Sequence, residues 1–330
     1  MRYIDQPLTV CNTVIRNRIA VPAMADFGMT EEDGRINARH AAHYKEFAEG
    51  GAGLVITEAC AVTKMREPRN TIDLSGDGCL PGLTELASAA HANGAVALVQ
   101  LLNTGLEIME ENAIAEIPRA RFLQYKSDFL AAAIRCKKAG FDGVELHAAH
   151  GYYLNQVIET NGRTDEYGGK LENRLQLITE LIAEIKGASG DGFLVSVRFG
   201  SRDYHELVQS AILLEAAGAD LLDVSQGCWP YENVPESFGY DGKIYAASLV
   251  KQSVHIPVIC VGGIFTAAQA EDILEKGYAD MTAVGRGHLC DPAWANKALA
   301  GLSPTVCKNC KRCLWYADGR KCPARRESSC

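Results

Sequence analysis

The chain alternates short, almost wholly apolar runs with longer amphipathic ones. The short runs are Arg18 to Ala23, GLVITEA from Gly53, AVALVQ from Ala95, a run ending at Leu146, FLVSVRFG from Phe193, DLLDVSQG from Asp220, PVICVGG from Pro257 and DMTAVGR from Asp280. Runs this short and this apolar suit strands buried on both faces. A period of two puts Leu54, Ile56 and Glu58 on one strand face, Val96, Leu98 and Gln100 on another, and Glu145 with His147 on a third. Helices are predicted between them at Ala38 to Gly50, Leu83 to Asn93, Phe129 to Ala139, Leu171 to Lys186 and Glu206 to Ala217. Two more follow, one behind Thr266 as N-cap and running through Glu275, the other at Trp294 to Ala300. Ahead of all these, LTVC and TVIR with Asn12 at the turn predict a hairpin that caps one end of the sheet. Eight strand–helix alternations predict an α/β fold and favour a TIM (β/α)8 barrel over residues 1–302 above the alternative of an open doubly wound sheet, with a cysteine-rich tail over 303–330.

Composition agrees with one large domain. The chain has 330 residues, is 47% hydrophobic, contains 31 glycines and carries a net charge of −8. That size suits a single barrel, and the acidic balance argues against nucleic acid as a partner. Met1 to Val10 is polar and contains Asp5 and Pro7, unlike a secretory leader. No apolar run reaches the roughly 18 residues that a membrane helix needs. The expectation is a cytoplasmic protein, without membrane partner, that acts on a small molecule and self-associates into a homo-oligomer.

Candidate chemistry lies at the C-terminal ends of the strands, where barrels of this kind place their sites. Glu58, Gln100, His147, Arg198, Gln226 and Arg286 fall there. After Leu146 the polarity changes abruptly, with His147, His150, Gly151 and Tyr152 in quick succession. Two imidazoles and a phenol can hold a developing oxyanion and supply a proton. The competing reading is two capping histidines and a packing tyrosine. Glycines also follow the last two strands, Gly262 and Gly263 in CVGGIFT and Gly285 beside Arg286 in AVGRG. Backbone N–H groups there can approach a phosphate, and Arg286 adds positive charge. The same glycines would also serve a plain tight turn. No GxGxxG follows the first strand, so a Rossmann dinucleotide site is not supported.

HAAHGYYLNQ from His147, followed by NGRTDEYGGKLENR from Asn161, closely resembles the signature of the Old Yellow Enzyme family of FMN-dependent oxidoreductases. The resemblance covers roughly residues 2–300 and implies the barrel. It implies that His147 and His150 bind the carbonyl or other acceptor oxygen of a substrate and that Tyr152 donates the proton. It assigns Gln100 to the flavin pyrimidine edge and Arg198 to negative charge near flavin N1 and O2. Pro22, Ala23, Met24 and Ala25 match the segment lying along the isoalloxazine, and Ala59 a backbone contact near its N5–O4 edge. NAD(P)H would be a transient donor.

Some positions depart from the family. Ala25 stands where relatives have Thr or Cys, Asn103 where histidine is frequent, and Phe27 where some relatives have a substrate-contacting tyrosine. The stretch from Asn103 to Arg121 is shorter than the usual capping segment. The expected activity is reduction of an activated C=C bond in an enone, enal, enoate or enoyl-type substrate. Alternatives are a dehydrogenase or demethylase of a small molecule, and a flavin and iron–sulfur electron carrier.

The chain has 12 cysteines. Cys11, Cys60, Cys79, Cys136, Cys228, Cys260 and Cys290 are scattered singly, as small buried hydrophobes usually are. The tail concentrates the rest, with Cys307, Cys310 and Cys313 as C-x2-C-x2-C and Cys322 after eight more residues. Four thiolates in one short segment suit a tetrahedral metal or a cubane cluster. A subgroup of the family resembling 2,4-dienoyl-CoA reductases and trimethylamine dehydrogenase carries a [4Fe–4S] cluster here, with C-x2-C-x3-C as its usual spacing. A cluster, zinc and free thiols remain the three readings. A cluster would call for an external electron donor or would be structural, since that subgroup's FAD-binding domains are not part of this sequence.

Overall fold

The computed structural model of the protein describes residues 2–25, 29–31, 33–64, 71–103, 113–159, 161–227, 230–315 and 319–328. Phe27, Cys228, Cys330 and residues 104–112 lie outside the described residues. Two strands, β1 (Leu8–Val10) and β2 (Thr13–Ile15), form the antiparallel hairpin. Eight more follow: β3 (Ile19–Val21), β4 (Leu54–Ala61), β5 (Val96–Leu102), β6 (Gly143–Ala148), β7 (Leu194–Phe199), β8 (Leu221–Val224), β9 (Val258–Val261) and β10 (Met281–Ala283). They close a parallel barrel in chain order, with β10 pairing back to β3. The predicted TIM barrel with an N-terminal hairpin is therefore the fold.

The helices on the outside are α1 (Ala38–Glu49), α2 (Leu80–Ala90), α3 (Ala113–Glu116), α4 (Arg119–Lys138), α5 (Tyr153–Ile158) and α6 (Leu171–Ser189). They continue with α7 (Tyr204–Ala216), α8 (Gly242–Lys251), α9 (Ala267–Glu275), α10 (Gly285–Cys290), α11 (Trp294–Leu299) and α12 (Pro323–Ser328). Local caps set several starts. Asn37 and Thr266 each form a capping box, and Asp203 and Asp241 accept from the first-turn N–H groups of α7 and α8. Helix α4 begins ten residues before the predicted Phe129, and α5 and α8 have no counterpart among the predicted helices. The polar sequence RARFLQYKS hides the start of α4, because only Phe122 and Tyr125 in it are buried.

Two cores follow from the two faces of each strand. Val55, Val99, Val144, Val197 and Leu222 point outward against the helices. Leu54, Ile56, Leu98, Leu194, Leu221, Ile259 and Met281 point inward, and Val10 and Ile15 of the hairpin join them. The hairpin thus plugs the N-terminal end of the barrel. The upper half of the interior is polar.

The tail is anchored on the barrel. Trp315 is buried with its ring 5.3 Å from that of His43, and Arg325 pairs with Glu46 of α1 at 2.7 Å. Among the scattered cysteines, Cys60, Cys136, Cys260 and Cys290 are buried as expected, whereas Cys11 is exposed and donates to Asp220 at 2.9 Å. Among the described residues, no helix is long and apolar enough to cross a membrane.

Candidate active site

Strand register decides which side chains face the interior. Gln100, Glu145 and Ser196 sit level on adjacent strands, and one step higher His147, Arg198 and Asp223 do the same. Their neighbours Leu98 and Leu194 belong to the inner core, so the period of two brings all six inward. All six are buried, with exposures of 6% or less. Gln100 Nε2 donates to Glu145 Oε1 at 2.8 Å, and Ser196 Oγ donates to Glu145 Oε2 at 3.0 Å.

Glu58 does not join them. Ile56 pairs with Leu98 and Ala59 with Gln100, so β4 spends three steps where β5 spends two. This bulge at Thr57 and Glu58 reverses the facing of the rest of β4. Ala59, half-buried, stands level with Gln100 and faces the interior. Glu58 turns outward, where its N–H donates to the Tyr44 hydroxyl at 2.6 Å and its carboxylate lies 3.6 Å from His40 Nε2.

The turn after β6 brings the histidines and the tyrosine together. His150 has φ +65 and Gly151 φ +78, two consecutive left-handed residues. A non-glycine residue in that region costs energy and is held there by its surroundings. Folded back by this turn, the His150 ring stands 4.9 Å from that of His147 and nearly perpendicular to it. The half-buried Tyr152 ring stands 5.1 Å from His147 on another side. Tyr153, by contrast, points away into the helix layer between Phe122 and Tyr125, fully buried.

Both imidazoles are held neutral. Burial is the main cause, with the neighbouring cations adding to it: the His150 pKa falls to about 3, and that of His147 also falls well below the ordinary value. The Ala149 N–H donates to His147 Nδ1 at 3.4 Å, which places the ring proton on Nε2. His150 Nε2 lies 2.9 Å from Ser225 Oγ.

Arg198 is tied down at three points. Nη1 donates to the Ala23 carbonyl at 3.0 Å, Nε lies 3.2 Å from Asp223 Oδ2, and Nη2 lies 3.5 Å from Ser225 Oγ. The Ala23 contact binds the guanidinium to the segment after β3. That segment leads to the glycine turns: a Cβ on Gly285 would stand 3.1 Å from Met24 Sδ and 3.5 Å from Pro22 Cγ. Ala25 is exposed at the rim. Gly262 has φ +132 and Gly263 φ +60, conformations open to glycine at little cost. Arg286, at the start of α10, bonds to Asn309 of the tail and lies over the Phe265 ring at 5.2 Å. Gln226 is buried and lines a cleft of about 140 Å³ with His150, Gly200 and Arg202.

The second half of the signature builds scaffold. Arg163 donates to the carbonyls of Ile114 at 2.9 Å and Ile117 at 2.8 Å, and pairs with Asp165. A Cβ on Gly168 would overlap the Arg163 carbonyl, at 2.0 Å. Arg174 pairs with Glu206 of α7 at 2.6 Å.

Sequence reasoning assigned no role to Glu145, Ser196, Asp223 and Ser225. The available signal was a carboxylate in the middle of an apolar strand, Asp223 in DLLDV and Glu145 in GVEL. Among the described residues, Cys307, Cys310, Cys313 and Cys322 are not gathered into a group of three or more metal ligands. Cys290 lies near Cys307 and Cys322, and burial together with these thiols pushes its pKa up to about 12.

The residues present fit FMN. Arg198 donates to the Ala23 carbonyl beside the interior that Gln100 also faces, and glycines follow β9 and β10 at the same end of the barrel. Comparison with known proteins agrees. The profile of the NADH:flavin oxidoreductase / NADH oxidase family matches residues 4–123 and 115–304. The chain is 36% identical over 338 residues to an NADH oxidase of Thermoanaerobacter brockii, covering 92% of this chain and 51% of that protein. It thus spans about half the length of that relative. It is 35% identical over 321 residues to an NADPH dehydrogenase of Halalkalibacterium halodurans, covering 90% of this chain and 94% of that one. The structure of morphinone reductase superposes with a TM-score of 0.78 at 20% identity, covering 93% of this chain and 92% of that one, and supports the fold alone. The chain belongs to the NADH:flavin oxidoreductase / NADH oxidase family, the Old Yellow Enzyme family.

Proposed function

We propose that the protein reduces an activated C=C bond, with FMN as cofactor and NAD(P)H or another donor as the source of electrons. The observation that carries this reading is the meeting of the His147, His150 and Tyr152 rings above an interior that presents Gln100 and Arg198. When bound, FMN supplies the hydride chemistry. The protein's own groups supply polarisation, orientation and the proton.

The neutral His147, with its proton on Nε2, donates a hydrogen bond to the carbonyl oxygen of the substrate, and His150 completes that oxygen's site. Neutral donors stabilise negative charge that develops there without having surrendered a proton beforehand. The Tyr152 phenol delivers its proton to the α-carbon. Gln100 and Arg198 would hold the flavin by hydrogen bonds and charge, with Ala59 and Pro22, Ala23, Met24 and Ala25 as the further residues that would contact it. Gly262, Gly263, Gly285 and Arg286 would hold its phosphate.

This reading assigns no step to the cysteine tail. Iron, zinc and acid-labile sulfide, measured on protein purified without oxygen, decide among a cluster, zinc and free thiols. Turnover on a panel of enones, enals and enoates with NADH and NADPH tests the main reading. Alkene reduction with one donor preferred is the expected result. Oxidation of amines without alkene reduction would favour a dehydrogenase, and flavin reduction without organic turnover an electron carrier.

A further inference from the structure

Two carboxylates and one guanidinium are sealed beneath the site, and their formal charges do not balance. Glu145 and Asp223 are both 0% exposed. Glu145 is satisfied by Gln100 and Ser196. Asp223 approaches Arg198 Nε at 3.2 Å, yet neither of its oxygens makes an aligned hydrogen bond to a described residue. Inside the barrel the groups facing the pair are Arg198 on β7 and His147 on β6. Behind Asp223 stands the Cys260 thiol of β9, itself buried and held protonated. With His147 neutral, one positive charge faces two carboxyls.

Two carboxylates buried close to one cation do not both ionise readily, because the second charge gains little and loses its hydration. Burial raises both groups, and the charge of Asp223 adds to the rise at Glu145, up to about 8. The pair therefore titrates as a unit.

We propose that Glu145 and Asp223 are positioning residues that share one proton, cancel the charge of Arg198 in the resting protein, and take up a second proton when negative charge arrives beside Arg198. The proposal rests on the reading that Arg198 faces the pyrimidine edge of a bound flavin. The balance is simple. Reduction places electrons on the flavin, one proton moves from solvent onto the second carboxylate, and the only bond formed in the protein is that carboxyl O–H. The second proton leaves Arg198 and the two carboxyls with one net positive charge, which offsets the negative charge that reduction brings beside Arg198, and the flavin potential acquires a pH dependence of the protein's making.

Spectroelectrochemical titration of the FMN holoprotein from about pH 5 to about pH 9, the span around the raised carboxyl, tests this in wild type, Asp223→Asn and Glu145→Gln. The expected result is an extra downward slope of potential with pH in wild type that each variant flattens. Asp223→Asn should also raise the potential at the alkaline end, because one of the two negative charges that face Arg198 is removed. A tenfold stronger preference for reduced FMN corresponds to about 30 mV for a two-electron couple. Retained FMN with wild-type slope and potential in both variants would overturn the proposal alone. Absence of FMN from wild-type protein would overturn the reading of the site, and the proposal with it. Should the variants misfold, a redox-difference infrared spectrum of wild type decides. A protonated-carboxyl band gained on reduction and shifted in D2O supports the proposal, and no such band overturns it.

Discussion

His150 Nε2 stands 2.9 Å from Ser225 Oγ, and Arg198 Nη2 stands 3.5 Å from the same hydroxyl. One small side chain after β8 therefore joins the imidazole assigned to the substrate and the guanidinium assigned to the flavin. Ser225→Ala should free His150 to reorient while leaving the backbone intact. A neutral hydrogen bond is worth roughly 0.5–1.5 kcal/mol, so affinity for a phenolic ligand should fall about two- to tenfold with FMN retained. Absorbance titration of the holoprotein measures it, and unchanged affinity would remove Ser225 from the site.

The imidazoles make a prediction with a definite pH sign. His147 and His150 have folded-state pKa values below the ordinary one, to about 3 for His150. Below about pH 6.5 the unfolded chain therefore binds protons that the folded chain refuses. Their contribution to stability is complete above that point and is lost as pH falls toward about 3. Denaturant titrations of the apoprotein should show this acid slope, and the double variant His147→Asn, His150→Asn should weaken it. The same variant should lose ligand affinity while keeping FMN.

Arg286→Ala should weaken FMN retention. Its guanidinium stands at the first turn after Gly285, between Asn309 and the Phe265 ring. A charge-assisted hydrogen bond is worth roughly 1.5–3 kcal/mol, so the dissociation constant should rise about ten- to a hundredfold. Fluorescence of released flavin on dilution measures it. Heat-released flavin from wild type should be FMN, and FAD would count against the phosphate assignment.

Tyr152→Phe should separate the two half-reactions. Hydride entry into flavin needs no proton from the phenol, whereas completing the alkene does. General acid catalysis contributes about 10²–10⁴-fold, so alkene reduction should slow by that order while flavin reduction by the donor stays near wild type. Stopped-flow traces of each half-reaction decide it. Equal slowing of both would point to disturbed flavin geometry. Tyr153 is no substitute acid, since its hydroxyl is buried among Phe122, Tyr125 and Tyr167.

Periodicity favoured the barrel over an open doubly wound sheet, and the resemblance of the HAAHGYYLNQ segment decided between them. Eight apolar runs separated by helical ones admit few arrangements that bury both faces of every strand, and the closed sheet from β3 to β10 is the one observed. The Thr266 cap, the hairpin and the inward faces of β5 and β6 were legible for the same reason, because each depends on residues close in sequence. The start of α4 was not, since its polar surface dilutes the apolar signal, and α8 went unassigned although GKIYAASLVK is mostly apolar.

What only the tertiary structure decided lies between strands. The bulge at Thr57 and Glu58 is a matter of register against β5, and it sends Glu58 to α1 although alternation points it inward. The enclosure of Glu145 and Asp223 around one guanidinium likewise arises because β6, β7 and β8 are neighbours, although 78 residues separate the two acids along the chain. Sequence spacing gives each carboxylate its face of a strand. Only closure of the barrel removes both from water and sets them against the same charge.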